Sequence, residues 1–372
     1  MKRSLSFFLT GALLFPAVLY PSDSLAHEPE TSTSRSASAA ENFSLKNADE
    51  KPTLPVREHT DIQRELLTSI RALEQPAKMD VSAVVMSEIP EIEVKNLYYE
   101  LLRQNPELKY AYDLSAQVQN GILTCQISYM PYKTGAYPAD WKGVPIDSLS
   151  QLLTEANKHL GDAPLPICLT DTSLEPDTIQ RALQQVGGGY IVCELNADGT
   201  EITYAPALGH TMEECLALLE EADGLAEEII QKNITPALTE RECAETLYHY
   251  LIHTVQYDRR YYTDREHMPY DSQTAIGALR DQLAICGGYS HALKLLFEKV
   301  GIPCYTVSGT YGQEHHMWNL AFLEGQWLWF DATADRGLPE GTVPDHFARE
   351  KLEASYHFSN EELLHLLPES VP

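Results

Sequence analysis

Positive charge is what this sequence has least of. Lys and Arg number 27 against 54 Asp and Glu, a formal net charge of -27 at pH 7 over 372 residues, and no local basic stripe offsets the deficit. Neutralising a phosphate backbone needs such a stripe, so nucleic acid is excluded as a partner. Acidity on this scale otherwise implies solubility and repulsion from anionic surfaces. Long apolar runs are missing beyond the first twenty residues, which leaves no second candidate for a membrane span. The run Gly187-Gly188-Gly189 lacks the Lys of a phosphate loop and reads as a helix end. Cysteines are few and odd in number, seven in all. An exported chain must then keep at least one thiol, a vacancy Cys286 fits; the other six, Cys125, Cys168, Cys193, Cys215, Cys243 and Cys304, allow fifteen full pairings, and several lie in apolar patterns that packing explains, so no bridge is assigned. What is present is 44% hydrophobic and 22% charged residues, which excludes a disordered chain and leaves room for two domains.

The N-terminus reads as an export signal over residues 1–26. Lys2 and Arg3 precede an apolar run from Phe7 to Tyr20, and small residues at Ser24 and Ala26 have signal-peptidase spacing. The run is shorter than the roughly 20 residues that span a bilayer and is broken by Pro16. No Cys follows it, so a lipidated terminus is not indicated. The expectation is a secreted or extracytoplasmic protein with no membrane attachment after cleavage. Residues 27–57 are rich in Ser, Thr, Glu, Ala and Pro, too poor in apolar surface to offset ordering entropy, and read as a flexible linker.

Residues 58–233 read as a duplicated α+β region. Ile62, Leu66, Ile70 and Leu73 mark a leading amphipathic helix. Two copies of a β-α-β-β-α unit follow, at 83–160 and 166–231. The first opens on the apolar run AVVM and turns its strand pair at Asn120-Gly121; the second opens on PICL and turns at Asp198-Gly199. Both dipeptides suit two-residue hairpins because both central positions need positive φ. The region carries no nucleophile-base pair and no metal spacing, and a structural or targeting module is its default reading.

Residues 234–372 carry the chemistry. Thr239 and Glu242 form a capping box that opens a helix with Leu247, Leu251 and Val255 on one face. His249 and His253 lie one turn apart on it, but Tyr250 replaces the Glu that a zinc hydrolase needs and no third ligand is placed, so packing or surface duty is expected and no metal. After Cys286, the residues Tyr289, Ala292, Leu293, Leu296, Phe297 and Val300 make one helical stripe, which Gly301 and Pro303 end. Cys286 therefore sits at the first turn, where unpaired N–H groups and the helix dipole favour a thiolate. Gly287 and Gly288 are expected to let the backbone approach whatever the sulfur attacks. Downstream, HHMWNLAFLEGQWLWFDAT alternates as two strands around Glu324-Gly325. Leu323 then pairs with Gln326 and Trp318 with Asp331, and His316 shares a face with both Trp318 and Asp331. Register thus predicts a His/Asp pair at diagonal-neighbour distance. The carboxylate would orient the ring and leave its other nitrogen to exchange a proton with the sulfur.

The run CGGYSHALKLLFEKVGI with HMWN and GQWLWFDAT resembles the transglutaminase-like superfamily, and the flanking LYHYLIHTVQYD and SYHFSNEEL extend the similarity from about residue 235 to the end. The resemblance implies a papain-like α+β core with Cys286 as nucleophile, His316 as general base and then acid, and Asp331 as the orienting carboxylate. Gly287 departs from the Gln common after the Cys, and Ala332 from the Pro common before the Thr. Oxyanion or substrate candidates are the backbone N–H of Cys286 and the side chains of Tyr257, Gln273, Gln282 and Trp318, with turn or capping duty as the alternative for the tyrosine and the glutamines. Trp318 and Asn319 are expected to shape the site, His315 to face solvent, and the tyrosines from Tyr257 to Tyr270 to rim a groove or simply stand in an exposed loop.

The expected function is cysteine-dependent acyl transfer on peptide or isopeptide amides through a thioester, cell-wall peptide among the candidate substrates, with no cofactor. Hydrolysis is favoured, since no calcium loop is recognisable. Protein cross-linking and an inactive cell-surface binding module are the alternatives, and residues 58–231 acting as a pro-segment over the site is a third possibility.

Overall fold

The computed structural model describes residues 54–358; the expected export signal and nearly all of the expected linker lie outside them. Two four-stranded sheets come first. One is built from β1 (Leu54–Pro55), β2 (Ala77–Asp80), β3 (Ala111–Gln119) and β4 (Ile122–Tyr129) in the order β1-β2-β4-β3, with α1 (His59–Arg71) and α2 (Pro90–Gln104). After the short α3 (Pro131–Thr134), the other is built from β5 (Val144–Ile146), β6 (Leu165–Leu169), β7 (Ile191–Leu195) and β8 (Glu201–Pro206) in the order β5-β6-β8-β7, with α4 (Leu149–Lys158) and α5 (Pro176–Leu183). Both sheets thus follow one connectivity, β-α-β-α-β-β. The Asn120-Gly121 turn is the two-residue hairpin expected, with φ of 52° and 75° and Gln119 paired with Ile122; Asp198-Gly199 is not, because Leu195 pairs with Ile202 across a longer loop in which Gly199 has φ of 74° while Asp198 is not in the positive-φ region.

Two further expectations need correction here. The segment Ala83–Met86 is a turn, with Val85 89% exposed. The strand lies earlier, at Ala77–Asp80, where Ala77 and Met79 alternate inward. An apolar run signals a buried strand only when a neighbouring strand is there to pair with it, and β4 pairs with β2 instead. Secondly, α4, assigned to the first copy, buries Leu152 and Ala156 in the core of the second sheet. The first core runs from Val56 to Tyr129. The second begins at Met130 and is continuous with the core of the C-terminal part, so the units divide near residue 130 rather than at 160 or 233.

The C-terminal part begins with α6 (Met212–Asn233) and α7 (Glu240–Thr254). Each opens on a capping box, Thr211 with Glu214 and Thr239 with Glu242. The two-residue strand β9 (Gln256–Tyr257) pairs in parallel with β10 (Leu283–Ala284), after the short helices α8 (Arg260–Thr263) and α9 (Ala275–Leu279). Next comes α10 (Cys286–Lys299), whose Tyr289, Leu293, Leu296 and Phe297 share a core with Ala321, Leu323 and Phe330. Those three belong to the sheet β13-β12-β11-β14, made of β11 (Cys304–Tyr311), β12 (Glu314–Leu323), β13 (Gln326–Phe330) and β14 (Tyr356–Phe358). Asn319 fastens sheet to helix by donating to Ser290 O at 3.0 Å.

Gly287 and Gly288 have a role other than the one expected. A Cβ on Gly287 would lie 2.8 Å from Gln273 O, and one on Gly288 would lie 2.7 Å from both Ser272 O and Ala284 Cβ. The pair lets the first turn of α10 settle against the Ser272–Thr274 backbone, which positions the preceding cysteine. Gly288→Ala should therefore destabilise the fold by about 1–3 kcal/mol. The measurement is urea unfolding, with a lower midpoint at an unchanged slope; an unaltered midpoint would show that the turn has room.

Candidate active site

Three elements bring the site together. Cys286 is the first residue of α10, and Ile285 before it provides no side-chain cap, so the first-turn N–H groups are left for another acceptor. His316 lies in β12. Asp331 follows β13 directly, and its place is set by the hairpin: Leu323 pairs with Gln326 and Asn319 with Phe330, around Glu324 and Gly325 with φ of 53° and 83°. The register read from the sequence is the one the sheet adopts. Extending it by one residue sets Asp331 opposite Trp318, one pleat from His316.

His316 Nε2 and Asp331 Oδ2 are 2.6 Å apart. With that nitrogen engaged, Nδ1 is the nitrogen left free of Asp331, and Cys286 is near enough to the ring to help raise its pKa. Asp331 is buried and accepts twice more, from Tyr356 Oη at 2.8 Å and from Ala334 N at 3.0 Å. Burial favours its neutral form, but the bonds from His316, Tyr356 and Ala334 hold its carboxyl below the ordinary range. Burial likewise disfavours a charged imidazole at His316. The bonds and negative charge of Asp331 and Cys286 outweigh it and push the ring's pKa up to about 10.

The imidazole is held from below as well. Trp318 is 0% exposed and stacks on His316 with ring centres 5.8 Å apart and planes 28° from parallel. Tyr356 packs edge-on against Trp318 at 5.1 Å. Beyond Asp331, the buried Asp335 accepts from Tyr248 Oη at 2.6 Å and from His346 N at 2.8 Å, and its Oδ1 lies 2.9 Å from His346 Nδ1. His346 O in turn accepts from Asp331 N at 3.0 Å. This second His/Asp pair thus braces the backbone of the first.

Cys286 itself is 1% exposed. The phenols of Tyr257, Tyr261 and Tyr262 lie in its electrostatic neighbourhood. They belong to a segment pinned by the buried Asp258, which takes Arg260 in a two-pronged bond, Nε and Nη2 each at 2.9 Å, and Ser272 Oγ at 2.7 Å. The thiol is therefore buried, with these tyrosines in its neighbourhood.

The other sequence candidates separate clearly. Gln273 puts its Cβ beside Gly287, next to the nucleophile, and its side chain makes no hydrogen bond among the described residues. Tyr257 lies alongside the cysteine in chain pairing, since it faces Ala284 across β9 and β10. Gln282 is exposed with φ of 52° and serves the turn before β10, the turn duty weighed for it from sequence. Trp318 is fully buried beneath His316, a platform rather than a donor open to substrate. His315 is exposed. His249 and His253 stack on each other at 5.5 Å, and among the described residues no group of three or more His, Cys, Asp or Glu is arranged to hold a metal ion. Tyr356 escaped sequence reasoning: only the resemblance of the tail SYHFSNEEL pointed at it, without a role.

Residues 223–332 match the family described as the transglutaminase-like superfamily, so this part of the chain is a transglutaminase-like domain. Among curated proteins it is similar to kyphoscoliosis peptidase of Mus musculus, 25% identical over 149 residues, and of Homo sapiens, 26% identical over 133 residues. Those stretches cover 34% and 32% of this chain but only 22% and 20% of the relatives, so the chain spans about a fifth of their length. A solved transglutaminase matches over 58% of this chain and 55% of its own at 16% identity, with a TM-score of 0.30.

Proposed function

We propose that this protein is an exported cysteine hydrolase of peptide or isopeptide amide bonds, with Cys286, His316 and Asp331 as its catalytic groups. The observation that carries the reading is the 2.6 Å His316–Asp331 bond, with Cys286 near the same ring. Export rests on the composition of residues 1–26. In the first half-reaction the thiolate of Cys286 attacks the amide carbonyl while His316 is charged. The C–N bond breaks as His316 passes its proton to the departing amine, leaving a thioester on Cys286. In the second, neutral His316 takes a proton from water, hydroxide adds to the thioester, and the sulfur leaves as thiolate. Oxyanion stabilisation falls to the uncapped first-turn N–H groups of α10 together with the unpaired amide of Gln273. Asp331 keeps the ring oriented throughout.

The test is incubation with a glutamine-containing peptide and a labelled primary amine. New peptide termini and released ammonia or amine, without lasting label incorporation, are the expected result. Incorporation without cleavage would replace hydrolysis by cross-linking, and no reaction together with a Cys286 that alkylates no faster than a model thiol would favour a binding module.

A further inference from the structure

A cavity beside the nucleophile is lined by Tyr257, Arg259, Tyr262, Thr263 and Arg336. Two chain segments form it. Tyr257 stands across from Ala284, two residues before Cys286, and Arg336 lies five residues after Asp331. None of Cys286, His316 and Asp331 lines the cavity itself; its links to them are Tyr257, paired with Ala284, and Arg336 in the segment after Asp331. Arg336 is anchored by donating to Thr333 O and sits with its guanidinium 4.6 Å from the Tyr257 ring centre.

The two arginines line the cavity without a carboxylate partner, as Arg57, Arg103 and Arg349 also stand elsewhere among the described residues. Acids outnumber bases two to one, and Arg64, Arg71, Arg241, Arg260 and Arg280 each have a carboxylate at ion-pair distance. Arg259 and Arg336 have none among the described residues. The acid close by, Glu314, accepts instead from Tyr262 Oη at 3.1 Å. Paired planar guanidinium groups flanked by hydroxyls match a carboxylate in shape and charge.

We propose that this cavity is a substrate subsite for a carboxylate, so that the enzyme prefers an amide bond flanked by an acidic residue or a free carboxyl group. The inference rests on the acyl-transfer reading and supplies its substrate class, an anionic peptide. It runs against the net charge of -27. Long-range repulsion is screened beyond about 8 Å at physiological salt, whereas contacts at the cavity are screened much less. A preference for acidic peptides would therefore have a local origin.

The test uses the full chain carrying Cys286→Ala and two dansylated pentapeptides, Ala-Glu-Ala-Glu-Ala and Ala-Gln-Ala-Gln-Ala, with binding read by fluorescence anisotropy. The acidic peptide should bind about tenfold to a hundredfold more tightly. Arg259→Gln or Arg336→Gln, with circular dichroism unchanged, should remove most of the difference, and Arg336→Lys should restore part of it. Equal affinities, or a preference surviving both glutamine substitutions, would overturn the subsite. Turnover by the unaltered chain separates the two ideas. Cleavage of both peptides at equal kcat/KM keeps the acyl-transfer reading and removes the subsite; tight, arginine-dependent binding of the acidic peptide without cleavage or amine incorporation keeps the subsite and removes acyl transfer.

Discussion

Asp331→Asn is expected to lower kcat by about 10³- to 10⁴-fold while leaving the fold intact. Asp331 accepts from His316, Tyr356 and Ala334. An asparagine amide offers one acceptor oxygen and one donor nitrogen, so at least one of these groups would meet a donor instead. If that is His316, the ring must present the wrong tautomer to Cys286. The same substitution should bring the His316 pKa from about 10 down toward its ordinary 6.5, readable in the nitrogen shifts of the ring. The sign for stability follows. A raised histidine pKa stabilises the fold fully below pH 6.5, and that contribution is lost as pH rises through about 10, so wild type and variant should converge in stability on the alkaline side. An unchanged kcat would show that Asp331 is not the orienting group.

The second large effect is on stability. Trp318→Ala should cost about 3–5 kcal/mol, a large part of the roughly 5–15 kcal/mol that holds a domain folded. The ring is fully buried in a cluster with Val307, Leu320 and Tyr356, and its indole nitrogen has no hydrogen-bond partner. Trp318→Phe gives up no bond and should recover most of the stability. Activity should fall further in the alanine variant than unfolding accounts for, because His316 loses the plane it rests on. Urea unfolding and kcat measured under folded conditions check both; a loss below about 1 kcal/mol would mean that the surroundings collapse into the gap.

Why so much of the site was legible in the sequence is a matter of local rules. Glu324-Gly325 fixes a two-residue turn, the turn fixes register, and register places His316 and Asp331 on one face. The stripe from Tyr289 to Val300 fixes the start of α10 and so the position of Cys286. What escaped depends on distant partners. The contact between Tyr356 and Asp331 bridges 25 positions, and nothing near either residue announces it. Gly287 and Gly288 announced a close approach, but not that the Ser272–Thr274 backbone was what approached. Lys78 and Asp80 broke up the apolar signal of β2 while Ala83–Met86 supplied a decoy. The helix at Leu149–Lys158 was recognised, but sequence order alone does not say which of two cores its Leu152 enters.

The continuity of one core from Met130 into the C-terminal sheet bears on where the polypeptide can be cut. A fragment started after residue 233 would leave behind Ala222, Ala226 and Ile229 and strip greasy surface bare around Leu247 and Leu293. A fragment started near residue 130 loses a body that keeps its own interior, from Val56 to Tyr129. The smallest piece worth expressing is therefore larger than the matched domain, and includes the second sheet as part of its foundation.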